Sequence, residues 1–326
     1  MVKIYSLKAG KAARLDLFLR EQLPPLFANQ KDDSTVFFNP DSVSNSKIRR
    51  FIIAGAVRID GQQCRVPSAS INAGSTVSVA VDSDKFFYEK QPDDIKFEVT
   101  KDSVLYEDDV VIIVNKPAFF PTEATIAGQR DNMHDAVVRW LWAENPSLRN
   151  APYAGIMHRL DRDTSGVLLF TKARTVNNAV HDMFEQHTAR KVYRAVVVCP
   201  AALPLEEFSA DNFLGRISAK SSQGKWGSVS EAHGGVHAHT DFTVLGHGFL
   251  DGIKVLYIEA RPVTGRTHQI RVHLSSAGMP IIGDKLYGGP VAERMYLHAQ
   301  SLTFPHPVTS LTMTVTALLP PGFGSC

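Results

Sequence analysis

The sequence predicts an α+β protein in two parts, and three observations lead there. Residues 13–82 read as two helices followed by short strands separated by glycine turns. From Val110 onward, apolar or alternating runs of strand type outnumber the helical ones. The length, 326 residues, gives room for a small domain and a larger one with a sizeable core.

Composition narrows the class. The chain is 44% hydrophobic and 21% charged, ordinary for a globular protein, and it contains no run of eighteen apolar residues that would span a bilayer. Met1 to Lys8 lacks the apolar stretch of a secretory signal. Cys64, Cys199 and Cys326 are widely spaced and odd in number, which suggests neither a disulfide framework nor a zinc site and fits a reducing cytoplasm. Residues 1–82 hold 11 Lys/Arg against 7 Asp/Glu, whereas the remainder holds 24 against 26. A basic N-terminal part on a nearly neutral body suits a polyanion partner.

The first helix places Leu15, Phe18, Leu19 and Leu23 at helical spacing and is expected to stop at Pro24-Pro25. Asn29 to Ser34 reads as a surface loop. Ser46 is placed to cap a second helix with Ile48, Phe51 and Ile52 inward and Gly55 at its end. Lys47, Arg49 and Arg50 fall largely outside that apolar stripe, as a solvated face or a polyanion contact. Val57 to Ile59 and a run toward Val66 read as strands around the Asp60-Gly61 turn, and Val77, Val79 and Val81 alternate as another.

Residues 83–100, charged and mixed, read as a linker, and 101–320 as the larger domain. Val110–Val114 is a buried strand ending at Asn115-Lys116-Pro117. Asn132 caps a helix with Val137, Val138 and Leu141 inward. Arg174 to His187 is a further helix. Lys191 to Val198 is a strand with Lys191, Tyr193 and Ala195 on one face. His237 and His239 share a strand face, but no carboxylate or cysteine completes a metal site in the sequence around them. Gly265 precedes a helix that puts Thr267, Ile270, Arg271 and Leu274 on one face, and an inward arginine requires an acid.

The chemistry concentrates in Met157-His158-Arg159-Leu160-Asp161-Arg162-Asp163-Thr164-Ser165-Gly166, ahead of the apolar strand Val167–Phe170. Charges on the lip of a buried strand need partners. Asp161 and Arg162 cannot face each other there, so Asp161 is expected to find its partner elsewhere. Such a carboxylate can act as a nucleophile or an acid/base group, or simply satisfy a turn.

His158-Arg159-Leu160-Asp161 with Thr164-Ser165-Gly166 resembles the signature of RluA-type RNA pseudouridine synthases. Lys191-Val192-Tyr193-Arg194-Ala195 and Arg266-Thr267-His268-Gln269-Ile270-Arg271-Val272-His273-Leu274 resemble the family's second and third motifs, and Gly283-Asp284-Lys285-Leu286-Tyr287-Gly288 continues the match. After Lys116-Pro117 the family usually has Gly and a His-Pro pair, where this chain has Ala118-Phe119-Phe120-Pro121-Thr122. Residues 13–82 resemble the alpha-L (S-four-type) RNA-binding module through Arg14-Leu15-Asp16, Ser46-Lys47-Ile48-Arg49, Gly55-Ala56-Val57, Asp60-Gly61 and Ala73-Gly74-Ser75.

The resemblance implies a mixed, largely antiparallel sheet with flanking helices in the larger domain. It implies Asp161 as the catalytic carboxylate, Arg271 as its partner and Tyr193 lining the active site. Arg159 would fill the gap left by a flipped nucleotide, with His158 and Ile270 also binding substrate. Lys47, Arg49, Arg50, Arg266 and His268 would contact RNA. The expected reaction is isomerisation of uridine in structured RNA, ribosomal or transfer, without metal or cofactor, by a cytoplasmic monomer with no membrane partner. Whether Asp161 attacks the sugar, attacks the base or assists proton removal stays open. Two other classes stay open with it: a non-catalytic RNA-binding protein, and a glycoside hydrolase needing a second carboxylate, for which Asp163 is the neighbour.

Overall fold

The computed structural model describes residues 2–28, 45–53, 55–82, 95–123, 131–202, 205–218 and 224–323. The loop expected at Asn29–Ser34 lies outside them. The chain divides into two compact units, residues 1–93 with 125–129, and residues 94–124 with 130–326.

The first unit contains β1 (Val2–Lys8), β2 (Ala13–Arg14), α1 (Leu15–Ala28), α2 (Asn45–Ile53), β3 (Val57–Ile59), β4 (Gln62–Cys64), β5 (Ser70–Ile71) and β6 (Thr76–Asp82). Its antiparallel sheet runs β1-β6-β3-β4, and β2 pairs separately with β5. The expected start at residue 13 omits β1, which pairs with β6 along its whole length. Asp60 and Gly61 both have positive φ, 48° and 84°, the left-handed pair that a two-residue hairpin between β3 and β4 requires. Leu15, Leu19, Leu23, Ile48, Ile52 and Val77 are fully buried in this unit's core.

Against expectation, α1 continues through Pro24 and Pro25 to Ala28. Each proline removes one backbone hydrogen bond, yet its fixed φ is helical. Leu23 is buried and Leu26 packs on the same core, so the added turn gains apolar burial that offsets the missing donors. α2 begins at Asn45, placing Ser46 inside the helix, and Gly55 terminates it at φ +83°.

The second unit opens with β7 (Val104–Glu107) and β8 (Val111–Lys116), then α3 (Met133–Glu144), β9 (Gly155–Ile156), β10 (Ser165–Thr171) and α4 (Asn177–Glu185). There follow β11 (Arg190–Val198), β12 (Glu207–Arg216), β13 (Trp226–Ser228), β14 (Val236–Leu250), β15 (Ile253–Pro262), α5 (Gln269–Ser276), β16 (Leu297–Pro305) and β17 (Thr312–Thr316). These build one eleven-stranded sheet in the order β13-β12-β14-β15-β11-β16-β10-β8-β7, with β17 on β16 and β9 on β10. Its pairings are antiparallel except for β10 with β16, so the sheet is mixed and largely antiparallel. Packing begins within the stretch read as a linker, because Val99 is buried and Phe97 lies on Phe120 with ring centres 5.5 Å apart.

Two features of the sheet shape the site. β10 is buried at every residue, and the Asp161 turn enters it directly. Where β10 meets β16 in parallel, a Cβ on Gly166 would lie 2.1 Å from the Ala299 carbonyl oxygen, and Gly166 has φ +117°. Only glycine fits that crossing.

Candidate active site

Thr164 N–H closes a turn on the Asp161 carbonyl at 3.1 Å, immediately before β10 begins at Ser165. Three groups brace this turn. Lys116, completely buried at the end of β8, donates through Nζ to the carbonyls of Arg162 (3.0 Å), Phe120 (2.6 Å) and Pro117 (2.8 Å). Burial with no bonded carboxylate pulls its ammonium down to about 7. Thr122 Oγ1 donates to the Leu160 carbonyl at 2.8 Å and accepts from Leu160 N–H at 3.2 Å, so the divergent loop 118–122 supports the motif. His158 Nε2 accepts the Leu169 N–H at 3.0 Å and stacks near Phe184.

The partner of Asp161 comes from 110 residues away. Arg271 Nη1 donates to Asp161 Oδ2 at 2.8 Å. Arg271 lies on α5, whose residues from Gln269 to Leu274 are all buried, so it needs counter-charge on every side. Asp284 supplies the rest, accepting from Nε at 2.8 Å and Nη2 at 2.9 Å. Side-chain exposure falls from 26% at Asp161 through 7% at Arg271 to 1% at Asp284, so the chain of charges runs from the site into the interior. The two acids more than compensate burial and raise the Arg271 guanidinium, which remains charged.

Tyr193 lies on β11, where a register irregularity against β16 falls between Val192 and Tyr193. Burial, then the nearby Asp161 carboxylate, push its hydroxyl well above the ordinary phenol range. The phenol thus stays protonated and offers a flat apolar wall with a donor, rather than an anionic base.

A family profile described as RNA pseudouridylate synthase matches residues 110–276, which carry the turn, Tyr193 and Arg271. The chain belongs to the RNA pseudouridylate synthase family. Ribosomal large subunit pseudouridine synthase C of Escherichia coli strain K12 is 30% identical over 345 residues, covering 100% of this chain and 95% of the relative. Ribosomal large subunit pseudouridine synthase D of Xanthomonas campestris pv. campestris is 30% identical over 329 residues, covering 94% of this chain and 91% of its own. Human RNA Pseudouridylate Synthase Domain Containing 1 shares the fold, with a TM-score of 0.54 at 24% identity over 68% of this chain and 86% of the human one. With its three motifs, the chain is an RluA-type pseudouridine synthase, an isomerase that converts uridine in RNA to pseudouridine.

The other expected site residues of this synthase divide between the site and its frame. His268, expected on RNA, lies beside the carboxylate, its Nε2 3.8 Å from Asp161 Oδ2. α5 starts only at Gln269, so Thr267 precedes the helix; His268, at φ 57° and ψ 18°, cannot continue it toward its N-terminus. Ile270 is 6% exposed and belongs to the core beneath. His158, expected on substrate, is bonded to the Leu169 backbone, and burial depresses its ring to about 3. Arg159 is exposed and bonded to Glu123 at 2.7 Å. Arg266 donates through Nε to the His237 carbonyl at 2.9 Å. Arg49, half-exposed, reaches the buried carboxylate of Asp16 at 3.3 Å; the side chains of Lys47 and Arg50 lie outside the described ones.

The histidines on β14 do have a carboxylate, contrary to the sequence expectation. Asp211 accepts from His237 Nε2 at 2.7 Å and His239 Nδ1 at 2.9 Å, while Asp241 bonds His239 Nε2 at 3.0 Å. β12 brings Asp211 opposite His239 by strand pairing, which local sequence cannot reveal. These contacts tie each imidazole into hydrogen bonds and raise the His239 ring, mainly through Asp211.

Sequence reasoning gave no role to Asp284, Gln269 or Lys116. Gln269 accepts from Thr264 Oγ1 at 2.6 Å and Arg266 N–H at 3.0 Å, and donates to the His239 carbonyl and Thr240 Oγ1 at 2.9 Å, fixing the loop into α5. The available signal for Asp284 was its place in Gly283-Asp284-Lys285-Leu286-Tyr287-Gly288, an acid held between glycines and following the arginine motif.

Proposed function

We propose that this synthase acts on ribosomal large-subunit RNA, with Asp161 as its catalytic carboxylate. The substrate class follows the names of the two full-length relatives. The observation that carries the role of Asp161 is its geometry, a partly exposed carboxylate in the turn before β10, held by a buried arginine at 2.8 Å and near Tyr193.

A uridine stacked in a helix cannot present itself to such a carboxylate, so the nucleotide flips out, with Arg159 filling the place it leaves. The bond between N1 and C1′ breaks, the base turns, and C5 joins C1′. The C5 proton then leaves and N1 gains one, so the change is an isomerisation. Asp161 attacks the sugar or base, or assists proton removal. Tyr193 packs on the uracil and donates or relays a proton. Asp163 serves the turn, since its Oδ1 lies 2.5 Å from Arg162 Nη1.

Residues 13–82 act as an alpha-L (S-four-type) module, with Lys47, Arg49 and Arg50 on RNA backbone and Arg266 contacting phosphate near the site. The enzyme works as a cytoplasmic monomer. Among the described residues no helix is long and apolar enough to cross a membrane. Mapping pseudouridines in total RNA from a strain lacking the gene tests the substrate directly. Loss of a large-subunit site is the expected result, and loss confined to transfer RNA would redirect it.

A further inference from the structure

Arg271 Nη1 and His268 Nε2 approach the same oxygen of Asp161, Oδ2, at 2.8 and 3.8 Å. What His268 presents there follows from its other nitrogen. His268 Nδ1 lies 2.9 Å from the Tyr287 hydroxyl, and that hydroxyl accepts the Trp226 N–H at 2.9 Å. One lone pair of the hydroxyl is thereby used, and its own proton needs an acceptor. Among the described residues, the remaining partner within hydrogen-bond distance is His268 Nδ1, so the hydroxyl donates to Nδ1. The ring proton then sits on Nε2, facing Asp161. Burial outweighs the opposing pull of Asp161 and lowers the imidazole from its ordinary value, which keeps the ring neutral.

The backbone agrees. His268 has φ 57°, a left-handed conformation that a residue with a Cβ adopts only at a cost, and such strain persists where surrounding contacts impose it. The Tyr287 ring also lies 5.0 Å from the Arg271 guanidinium, so one tyrosine touches both groups that face Oδ2.

We propose that His268 is a positioning residue which, with Arg271, takes up Oδ2 of Asp161 and leaves Oδ1 to meet the substrate. The inference rests on Asp161 being the catalytic carboxylate. At 3.8 Å the His268 contact is longer than a hydrogen bond, and a shift of about 1 Å by either side chain closes it. Such contacts in a free enzyme often tighten only when substrate is bound.

Two variants separate this role from a structural one. His268→Asn tolerates the left-handed backbone but is too short to reach Asp161, whereas His268→Gln carries an amide donor to roughly the place of Nε2. With uridine-containing large-subunit RNA at saturation, His268→Asn should slow single-turnover pseudouridine formation about ten- to a hundredfold, the loss expected for one hydrogen bond to a charged group. RNA affinity should stay within about twofold, and His268→Gln should recover much of the rate. Tyr287→Phe should fall between wild type and His268→Asn. Nitrogen-15 NMR of the wild-type enzyme should show His268 protonated at Nε2, a reading independent of how any variant folds. A proton on Nδ1, an unchanged rate in His268→Asn, or a loss confined to RNA affinity would overturn the proposal. If Asp161→Asn is inactive while the His268 variants match wild type, this inference alone fails. Full activity in Asp161→Asn would remove the reading beneath it.

Discussion

Asp284 grips Arg271 with both carboxylate oxygens, at 2.8 and 2.9 Å, leaving Nη1 as the one guanidinium nitrogen that reaches Asp161. The two-pronged contact sets the plane of the guanidinium, and that plane sets where Nη1 points. Asp284 also accepts the N–H groups of Leu286 and Tyr287, so its own position is fixed by the loop that carries it. The site carboxylate is thus oriented from the interior through two side chains.

That arrangement changes what substitutions of Arg271 should do. Arg271→Ala orphans two carboxylates, one of them 1% exposed. Removing one partner of a buried pair costs about 3–5 kcal/mol, so a fall in melting temperature should accompany the loss of activity. Arg271→Lys keeps the charge but not the fork, and should lie between wild type and Ala. Asp284→Asn should slow turnover roughly tenfold or more while leaving RNA binding intact, since a neutral amide holds the guanidinium less firmly. Wild-type turnover in Asp284→Asn would show that Asp161 is oriented by other means.

Asp161→Asn should abolish turnover by more than about a thousandfold, as removal of a covalent or acid/base group does, while RNA still binds. Asp163→Asn should keep substantial activity, because Asp163 is engaged with Arg162. Single-turnover assays of the two variants decide between the acids, and equal losses would mean that the turn as a whole, not one carboxylate, has been damaged.

Much of this was legible in the sequence because the elements concerned are local. The buried run Val167–Phe170, the Asn132 cap, and the Asp60-Gly61 hairpin each depend on residues within a few positions. Asp161 and Arg271 were paired through motif resemblance, not through spacing. What stayed hidden depends on strands that meet across long separations. Asp211 reaches His239 only because β12 lies beside β14, and Lys116 braces Arg162 from 46 residues away. α1 ran past its prolines for a tertiary reason, the burial of Leu23 and Leu26, which outweighed a local stop signal. The acceptor bond of His158 to Leu169 depends on the way the turn doubles back on β10.

Burial gives His158 a pH signature. Its folded-state ring titrates near 3, below the ordinary histidine value of 6.5, because burial disfavours the cation. Below pH 6.5 the unfolded chain takes up a proton that the folded one refuses, so stability present above that pH is lost progressively on acidification. The slope approaches 1.4 kcal/mol per pH unit, and by pH 5 the loss should be about 1–2 kcal/mol after allowing for the ring's partial exposure. His158→Gln has no such proton to exclude. Denaturant unfolding at pH 7 and pH 5 should therefore show wild type losing more stability than the variant. Parallel losses would mean that His158 is not the group responsible.

The N-terminal unit supplies the last test, one of affinity and not chemistry. Arg49 reaches the same buried carboxylate, Asp16, that Arg14 contacts at 2.8 Å, so Asp16 sets two half-exposed guanidinium groups side by side. A cation held this way loses little freedom on meeting a phosphate, which favours backbone contact over a merely solvated face. Phosphate contacts fix position and affinity without reading bases. Changing Lys47, Arg49 and Arg50 together to Ala should weaken RNA binding and make the logarithmic salt dependence shallower by about 2–3, one phosphate contact for each side chain. The modified uridine should stay the same, because backbone contacts carry no base sequence. Affinity measured across a salt titration, with pseudouridine mapping on the same RNA, checks both halves. An unchanged slope would show that these side chains face only water, and a shifted modification site would show that the unit chooses the uridine as well as holding the RNA.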